Sequence, residues 1–121
     1  MKTNKFIIYK KYRDLFEYSY VILIKYPKSE KHSLANSIKE TLYNGFKKVN
    51  YLTNFRIEKF KRIQTVIDLE IELKYLEELI RISYKLKFIN IKNYKVWVEK
   101  IIELNKMIGS VVNEKSKEEG I

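Results

Sequence analysis

Histidine and cysteine, the usual side chains of metal sites and nucleophilic catalysis, are almost absent from this sequence. His32 is the only histidine, and there is no cysteine. A metal site inside a helical bundle needs Glu-x-x-His pairs from two helices, which one histidine cannot supply. A nucleophile needs an oriented base, and His32 has no evident acidic partner and no arginine closer upstream than Arg13. We therefore predict no catalytic residue, no metal and no cofactor. A small helical nuclease that depends on an exposed His32 remains the least favoured alternative.

Basic side chains are the stronger functional signal, because they are unevenly distributed. The chain carries 25 Lys and Arg against 15 Asp and Glu, a net charge of +10. Residues 1–62 hold 15 basic and 5 acidic residues, whereas residues 63–121 hold ten of each, so the whole excess lies in the first half. Such a surface attracts polyanions, since each neutralised phosphate releases condensed counterions. The alternative is a lysine-rich chain whose charge is incidental.

The elements that must position these charges are helices. Apolar residues recur at steps of three and four, while three glycines and one proline offer few turns. The pattern predicts helices over residues 4–25, 30–52, 57–86 and 91–113, with Ser29 and Asn90 as N-caps. The third helix has apolar residues on more than one side, which favours contact with another subunit as well as with the core. The core face of the fourth helix is predicted to hold Tyr94, Val98, Ile101, Asn105, Ile108 and Val112.

Short links make neighbouring helices antiparallel, so the predicted fold is an all-α, up-and-down four-helix bundle. It forms one domain, residues 1–114, with a frayed polar tail at 115–121. Gly45 and Gly109 lie within helices and are expected to permit close packing. The longest apolar run, residues 20–24, is far too short to span a bilayer, and no signal peptide is evident, so we predict a cytoplasmic protein.

In such a bundle the start of the first helix, the end of the second and the start of the third meet at one pole. Tyrosines at positions 9, 12, 43 and 51 are interleaved with the basic residues there and could stack on bases, although core packing is their commoner use. We predict a nucleic-acid-binding site at this pole, formed by Lys5, Lys10, Lys47, Lys48, Arg56, Lys59, Lys61 and Arg62.

Three segments resemble a known family. They are the helix link at residues 26–31 (Tyr-Pro-Lys-Ser-Glu-Lys), the stretch at 79–86 (Leu-Ile-Arg-Ile-Ser-Tyr-Lys-Leu), and the run at 93–109 that ends in Glu-Leu-Asn-Lys-Met-Ile-Gly. In their order and spacing they resemble the accessory variability determinant (Avd) proteins of diversity-generating retroelements. They are also similar to the four-helix-bundle proteins encoded in intervening sequences of ribosomal RNA genes. The resemblance covers residues 12–112. The family often has a second glycine and a tryptophan after the final glycine, where this chain has Ser110 and Val111.

The resemblance implies a homopentameric barrel of four-helix bundles that binds RNA and DNA with little sequence preference. It also implies partnership with the reverse transcriptase of the retroelement, in the mutagenic copying of template RNA into cDNA. By position, Arg81 and Lys85 would be candidates for the reverse-transcriptase or nucleic-acid surface; otherwise they stabilise the end of their helix. The rival hypothesis is a pure protein-interaction scaffold without nucleic-acid binding.

Overall fold

Four α-helices make up the computed structural model, which describes residues 5–54 and 56–118 and the side chains of 5–54 and 56–110. Helix α1 is Lys5–Leu23, α2 is Leu34–Asn54, α3 is Lys59–Lys85 and α4 is Ile91–Glu118, with a 3-10 helix at Lys28–Glu30. The described residues contain no β-strand. The predicted all-α fold is therefore confirmed.

Successive helices pack antiparallel to one another. In each pair, a residue near one terminus of a helix lies close to a residue near the opposite terminus of its neighbour. Helices α1 and α4 also pack together, and within the described residues no Cα atoms of diagonally opposite helices lie within 8 Å of each other. This arrangement is an up-and-down bundle. The pairs that establish it are Phe6 with Asn54, Leu52 with Val66, and Tyr84 with Tyr94.

Three polar contacts join the first helix to the last. Lys11 Nζ lies 3.0 Å from Glu103 Oε1, and Lys100 Nζ lies 2.6 Å from Asp14 Oδ2. Deeper in the bundle, Trp97 Nε1 donates a hydrogen bond of 2.8 Å to Ser19 Oγ. Partners rise along α1 as they fall along α4, so these two helices are antiparallel as well.

The buried residues of α1, α2 and α3 recur mostly at steps of three and four, as predicted. The buried face of α4 differs from the predicted one. Ile101 and Ile108 are buried as predicted, but Trp97 and Leu104 are buried in place of Val98 and Asn105. The prediction for α4 was therefore wrong in register at two positions. Burying Trp and Leu removes more apolar surface from water than burying Val and the polar Asn. Tyr94 is half-buried, and the side chain of the last predicted position, 112, lies outside the described residues.

The start of α4 agrees with the prediction, whereas the start of α2 does not. Asn90 Oδ1 accepts a hydrogen bond of 2.8 Å from the backbone N–H of Asn93, which confirms this N-cap. Ser29 lies within the 3-10 helix and α2 begins only at Leu34, so Ser29 is not an N-cap. The intervening Lys31 Nζ donates to the carbonyls of Leu23 (2.9 Å) and Ile24 (2.8 Å), which stabilises the end of α1.

The two helical glycines differ in their surroundings. A Cβ placed on Gly45 would lie 2.1 Å from the hydroxyl oxygen of Tyr12, which confirms the predicted close approach of α1 and α2. A Cβ on Gly109 would meet only Glu70 Oε2, at an ordinary 3.7 Å. Close packing therefore requires a glycine at position 45 but not at position 109.

Helix α4 continues to Glu118, beyond its predicted end at 113 and into the segment predicted to be a frayed tail. Residues 119–121 of that tail lie outside the described part of the chain. In the described helices, no stretch combines the length and the apolar character needed to cross a membrane.

Candidate nucleic-acid interface

Two of the predicted basic residues meet at the pole formed by the starts of α1 and α3. Lys5 and Arg62 line the same small pocket, with Leu52 from α2 and Ile108 from α4. Arg62 is only 9% exposed, and its Nη1 donates to the carbonyl of Ile57 at 3.4 Å. An arginine buried in this way packs its stem against apolar side chains. Lys5 and Arg62 therefore lie together, but Arg62 points into the bundle.

Lys48 lies away from that pole, beside an acidic residue. Its Nζ is 3.4 Å from Glu72 Oε2, and the two side chains are 28% and 24% exposed. Because Glu72 follows Arg62 by ten positions, it lies about 15 Å farther along α3, which is the distance of Lys48 from the pole. Ion pairs near the surface stabilise a protein only slightly. The pairing matters here because Glu72 offsets the charge that Lys48 would present to a phosphate.

The remaining five predicted residues are at least partly accessible. Lys59, like Lys5, is half-buried, and Arg56 is exposed in the link between α2 and α3. Lys10, Lys47 and Lys61 are exposed on α1, α2 and α3, respectively. We define the exposed cations as Lys10, Lys47, Arg56 and Lys61.

An aromatic face between α1 and α2 was only partly predicted from the sequence. Ring centroids are 5.8 Å apart for Tyr9 and Phe46, 5.5 Å for Phe46 and Phe16, and 5.3 Å for Phe16 and Tyr43. Phe6 is 62% exposed. It was not among the predicted residues, although its position off the apolar stripe of α1 was a signal that could have identified it.

The tyrosines that were predicted to stack on bases have different surroundings. Tyr12 is buried and donates a hydrogen bond of 2.8 Å to the carbonyl of Leu42, so it belongs to the core. Burial raises the pKa of Tyr12 well above its ordinary value. Tyr43 is 48% exposed, and its hydroxyl is hydrogen-bonded to that of Tyr20. This hydrogen bond raises the pKa of Tyr20. Tyr43 is therefore accessible, whereas Tyr12 is not.

The outer side of α3 carries large apolar residues, in agreement with the prediction of a helix that is apolar on more than one side. They recur at steps of seven, four, four and seven, which places them on one face. The buried residues Leu69, Leu73 and Ile80 occupy the opposite face. We name the exposed set the α3 outer stripe; its members are Phe60 (75% exposed), Ile67 (44%), Ile71 (62%), Tyr75 (51%) and Ile82 (46%).

Comparison with known proteins places the chain in a family. A family model described as bAvd-like matches residues 6–115. The chain belongs to the bAvd-like family. Membership confirms the resemblance to Avd proteins and indicates an accessory protein of a diversity-generating retroelement. No curated protein and no solved structure matches this bAvd-like chain.

The two predicted partner-binding residues of this bAvd-like protein lie on the last turns of α3. Both are exposed. Arg81 Nη2 and Nε lie 2.5 Å and 3.0 Å from Glu77 Oε2, and Glu77 itself is buried. The hydrogen bond to Glu77 raises the pKa of Arg81. Lys85 is the basic residue of the last turn. Glu77 thus fixes the guanidinium in place and offsets part of its charge.

His32 lies in the turn that precedes α2 and is exposed, as predicted. The described residues of this bAvd-like protein contain no group of three or more His, Cys, Asp or Glu residues that could hold a metal ion. The bAvd-like family is one of accessory proteins and not of known enzymes.

Proposed function

We propose that this protein is a non-catalytic, cytoplasmic, nucleic-acid-binding accessory subunit of a diversity-generating retroelement. In this role it binds RNA and DNA with little sequence preference and assists the reverse transcriptase in copying template RNA into cDNA, without a cofactor. Family membership supports the accessory role. The observation that carries the binding role is the net charge of +10, all of it contributed by residues 1–62.

The exposed cations would bind phosphates directly. Lys5 and Lys59, which are half-buried, would add to the positive potential of the pole, whereas the charge of Lys48 is offset by Glu72. Arg62 would act mainly by holding the start of α3 through Ile57. Phosphate contacts carry no base information, which agrees with binding of little sequence preference.

Replacing all four exposed cations by glutamine should weaken binding to RNA and DNA. We expect an affinity loss of about 100-fold at low salt. The slope of log K against log salt concentration should fall in magnitude by about 3 to 4 for a duplex, since each neutralised phosphate contributes ~0.9. Fluorescence anisotropy titrations over a range of salt concentrations measure both quantities.

A matched control removes four exposed charges from the opposite end of the bundle: Lys28, Lys87, Lys92 and Lys95, each replaced by glutamine. This variant has the same net charge as the first and should retain most of the affinity. Equal losses in the two variants would show that net charge, and not this surface, determines binding. Absence of salt-sensitive binding by the wild-type protein would reject the proposed function.

The protein also self-associates in this proposal, through the α3 outer stripe. The stripe spans 22 positions, or about 33 Å along the helix. Monomeric soluble proteins seldom expose a large contiguous apolar surface unless it binds a partner. The family likeness implies a pentamer. Exposure of the stripe supports the presence of a contact but does not fix the number of subunits.

Replacing Ile71 by lysine should dissociate the oligomer into monomers while the helix content stays unchanged. The substitution places a charge at the centre of the stripe, where Ile71 is 62% exposed in the single chain. Light scattering coupled to size-exclusion chromatography measures the mass. Val21→Lys is the matched control, because Val21 is 60% exposed on α1 and outside the stripe. A monomeric wild type, or an oligomeric Ile71→Lys variant, would contradict the assignment.

Arg81 and Lys85 are proposed as the contact surface for the reverse transcriptase. The alternative function, a protein scaffold without nucleic-acid affinity, is favoured only by the α3 outer stripe, which suits a protein partner. Mobility-shift titrations with RNA and DNA at two salt concentrations separate the two functions. The scaffold predicts no shift at either salt concentration.

A further inference from the structure

A groove opens between the start of α1 and the end of α2. It has a volume of about 250 Å³ and is lined by Phe6 and Tyr9 on one side and by Asn50, Thr53 and Asn54 on the other. Phe6 and Tyr9 also line a second hollow of about 310 Å³, together with residues from the next turns of α1. The two aromatic side chains thus form a ridge between two open spaces.

Phe6 is the accessible aromatic residue of this ridge. Its side chain is 62% exposed, and Lys10 Nζ lies 5.4 Å from the centroid of the ring. An exposed aromatic ring next to a cation is the arrangement on which proteins bind single strands. The ring stacks on a base, and the cation neutralises the neighbouring phosphate. Lys47, exposed on α2, supplies further positive charge on the same pair of helices.

The acidic residues beside the ridge do not oppose an anionic ligand strongly. Asp14 Oδ2 lies 2.6 Å from Lys100 Nζ, and Glu17 Oε2 lies 3.4 Å from Arg13 Nε. Each carboxylate of the second hollow therefore has a basic partner that offsets its charge. Lys10 then makes the electrostatic potential beside Phe6 positive.

The polar wall of the groove is engaged in bonds within α2. Asn50 Nδ2 donates to the carbonyl of Phe46 at 2.9 Å, and Asn54 Nδ2 donates to Asn50 Oδ1 at 3.2 Å. Thr53 Oγ1 donates to the carbonyl of Val49 at 2.8 Å. These bonds already use one N–H and the carbonyl oxygen of Asn50 and the hydroxyl proton of Thr53, so fewer polar groups of this wall are left for a base edge. Recognition in this groove therefore depends mainly on stacking, which every base can provide.

We infer that the groove between α1 and α2 binds single-stranded nucleic acid by stacking an unpaired base on Phe6, with Lys10 on the adjacent phosphate. The inference rests on the proposed function and adds to it the form of the nucleic acid. A duplex keeps its bases stacked on one another and cannot offer one to the ring. The groove therefore discriminates between strands and duplexes without reading sequence.

The test compares Phe6→Ala with Ile24→Ala in the full chain. Ile24 is the control, because it is 74% exposed just after α1 and lies outside both the groove and the α3 outer stripe. Anisotropy titrations use a fluorescent oligouridine strand, an oligodeoxythymidine strand and a mixed-sequence duplex of the same length. We expect Phe6→Ala to weaken binding of both strands about tenfold and to change duplex binding less than about twofold. Phe6→Tyr should bind both strands as wild type does, and Ile24→Ala should leave all three affinities unchanged.

Unchanged strand binding by Phe6→Ala, or equal losses for strand and duplex, would overturn the inference while leaving the proposed function intact. Failure of the wild-type protein to bind any of the three probes would reject the proposed function itself. Circular dichroism of each variant verifies that the helices are retained, which the exposure of Phe6 and Ile24 leads us to expect.

Discussion

Replacing Gly45 by alanine should lower the free energy of unfolding by about 3 kcal/mol. The new methyl carbon would lie 2.1 Å from the hydroxyl oxygen of Tyr12 and 2.9 Å from its ring carbon Cζ. Overpacking of this kind costs about 1–3 kcal/mol or more. Moving Tyr12 would also break its hydrogen bond to Leu42, a loss of about 1 kcal/mol. The better helix propensity of alanine returns only about 1 kcal/mol.

The measurement is urea unfolding followed by fluorescence of Trp97, the single tryptophan, at a fixed protein concentration. Gly109→Ala is the control, because its Cβ meets only Glu70 at 3.7 Å and gains the same helix propensity. It should leave stability unchanged or raise it by about 1 kcal/mol. Adding Tyr12→Phe to Gly45→Ala removes the nearest clashing atom and should restore part of the loss. A Gly45→Ala protein as stable as wild type would mean that α1 and α2 are farther apart than described.

Replacing Trp97 by alanine should cost about 3–5 kcal/mol, the range for deleting a large buried aromatic side chain. The indole is fully buried on α4, and its Nε1 hydrogen-bonds Ser19 on α1. The substitution therefore leaves a cavity at the contact between the first and last helices. Thermal unfolding followed by circular dichroism measures the loss, since the variant has no tryptophan to report by fluorescence.

Smaller substitutions separate the cavity from the hydrogen bond. Ser19→Ala keeps the indole but leaves its buried N–H without this acceptor, which should cost about 1–3 kcal/mol. Trp97→Phe removes the donor and part of the volume. Because the two residues share one bond, the double variant should be more stable than the sum of the single losses predicts. Strict additivity would mean that the bond between Ser19 and Trp97 does not form in solution.

Helix number, order and most buried faces could be predicted because apolar spacing encodes them locally. Tyr12, Leu15 and Ile22 repeat at helical intervals, and each is buried. The register of α4 could not be predicted in the same way, because Val98 and Trp97 both continue a helical stripe. Which one is buried depends on α1, where Ser19 offers an acceptor to the indole. The start of α2 depends on Lys31, whose bonds to the end of α1 are also tertiary.

Prediction of the candidate site was limited for the same reason, namely that tertiary contacts decide the outcome. Charge and helix order place Lys5 and Arg62 at one pole, and the structure agrees. Whether a basic side chain faces solvent, the core or a carboxylate depends on neighbours distant in sequence. Ile108 lies beside the pocket that holds Arg62, and Glu72 lies beside Lys48. The exposed ring of Phe6 was not predicted, because phenylalanine is more often buried than exposed.

The contacts between α1 and α4 also have a consequence for biosynthesis. Ser19 and Trp97 are 78 positions apart, and Asp14 and Lys100 are 86 apart. Closing loops of this length is slow and entropically unfavourable before the contacts form. A nascent chain that has emerged from the ribosome only as far as α3 lacks the partner for α1. We therefore expect the strongly cationic residues 1–62 to be translated well before the core can close, so the bundle is completed only once α4 has emerged.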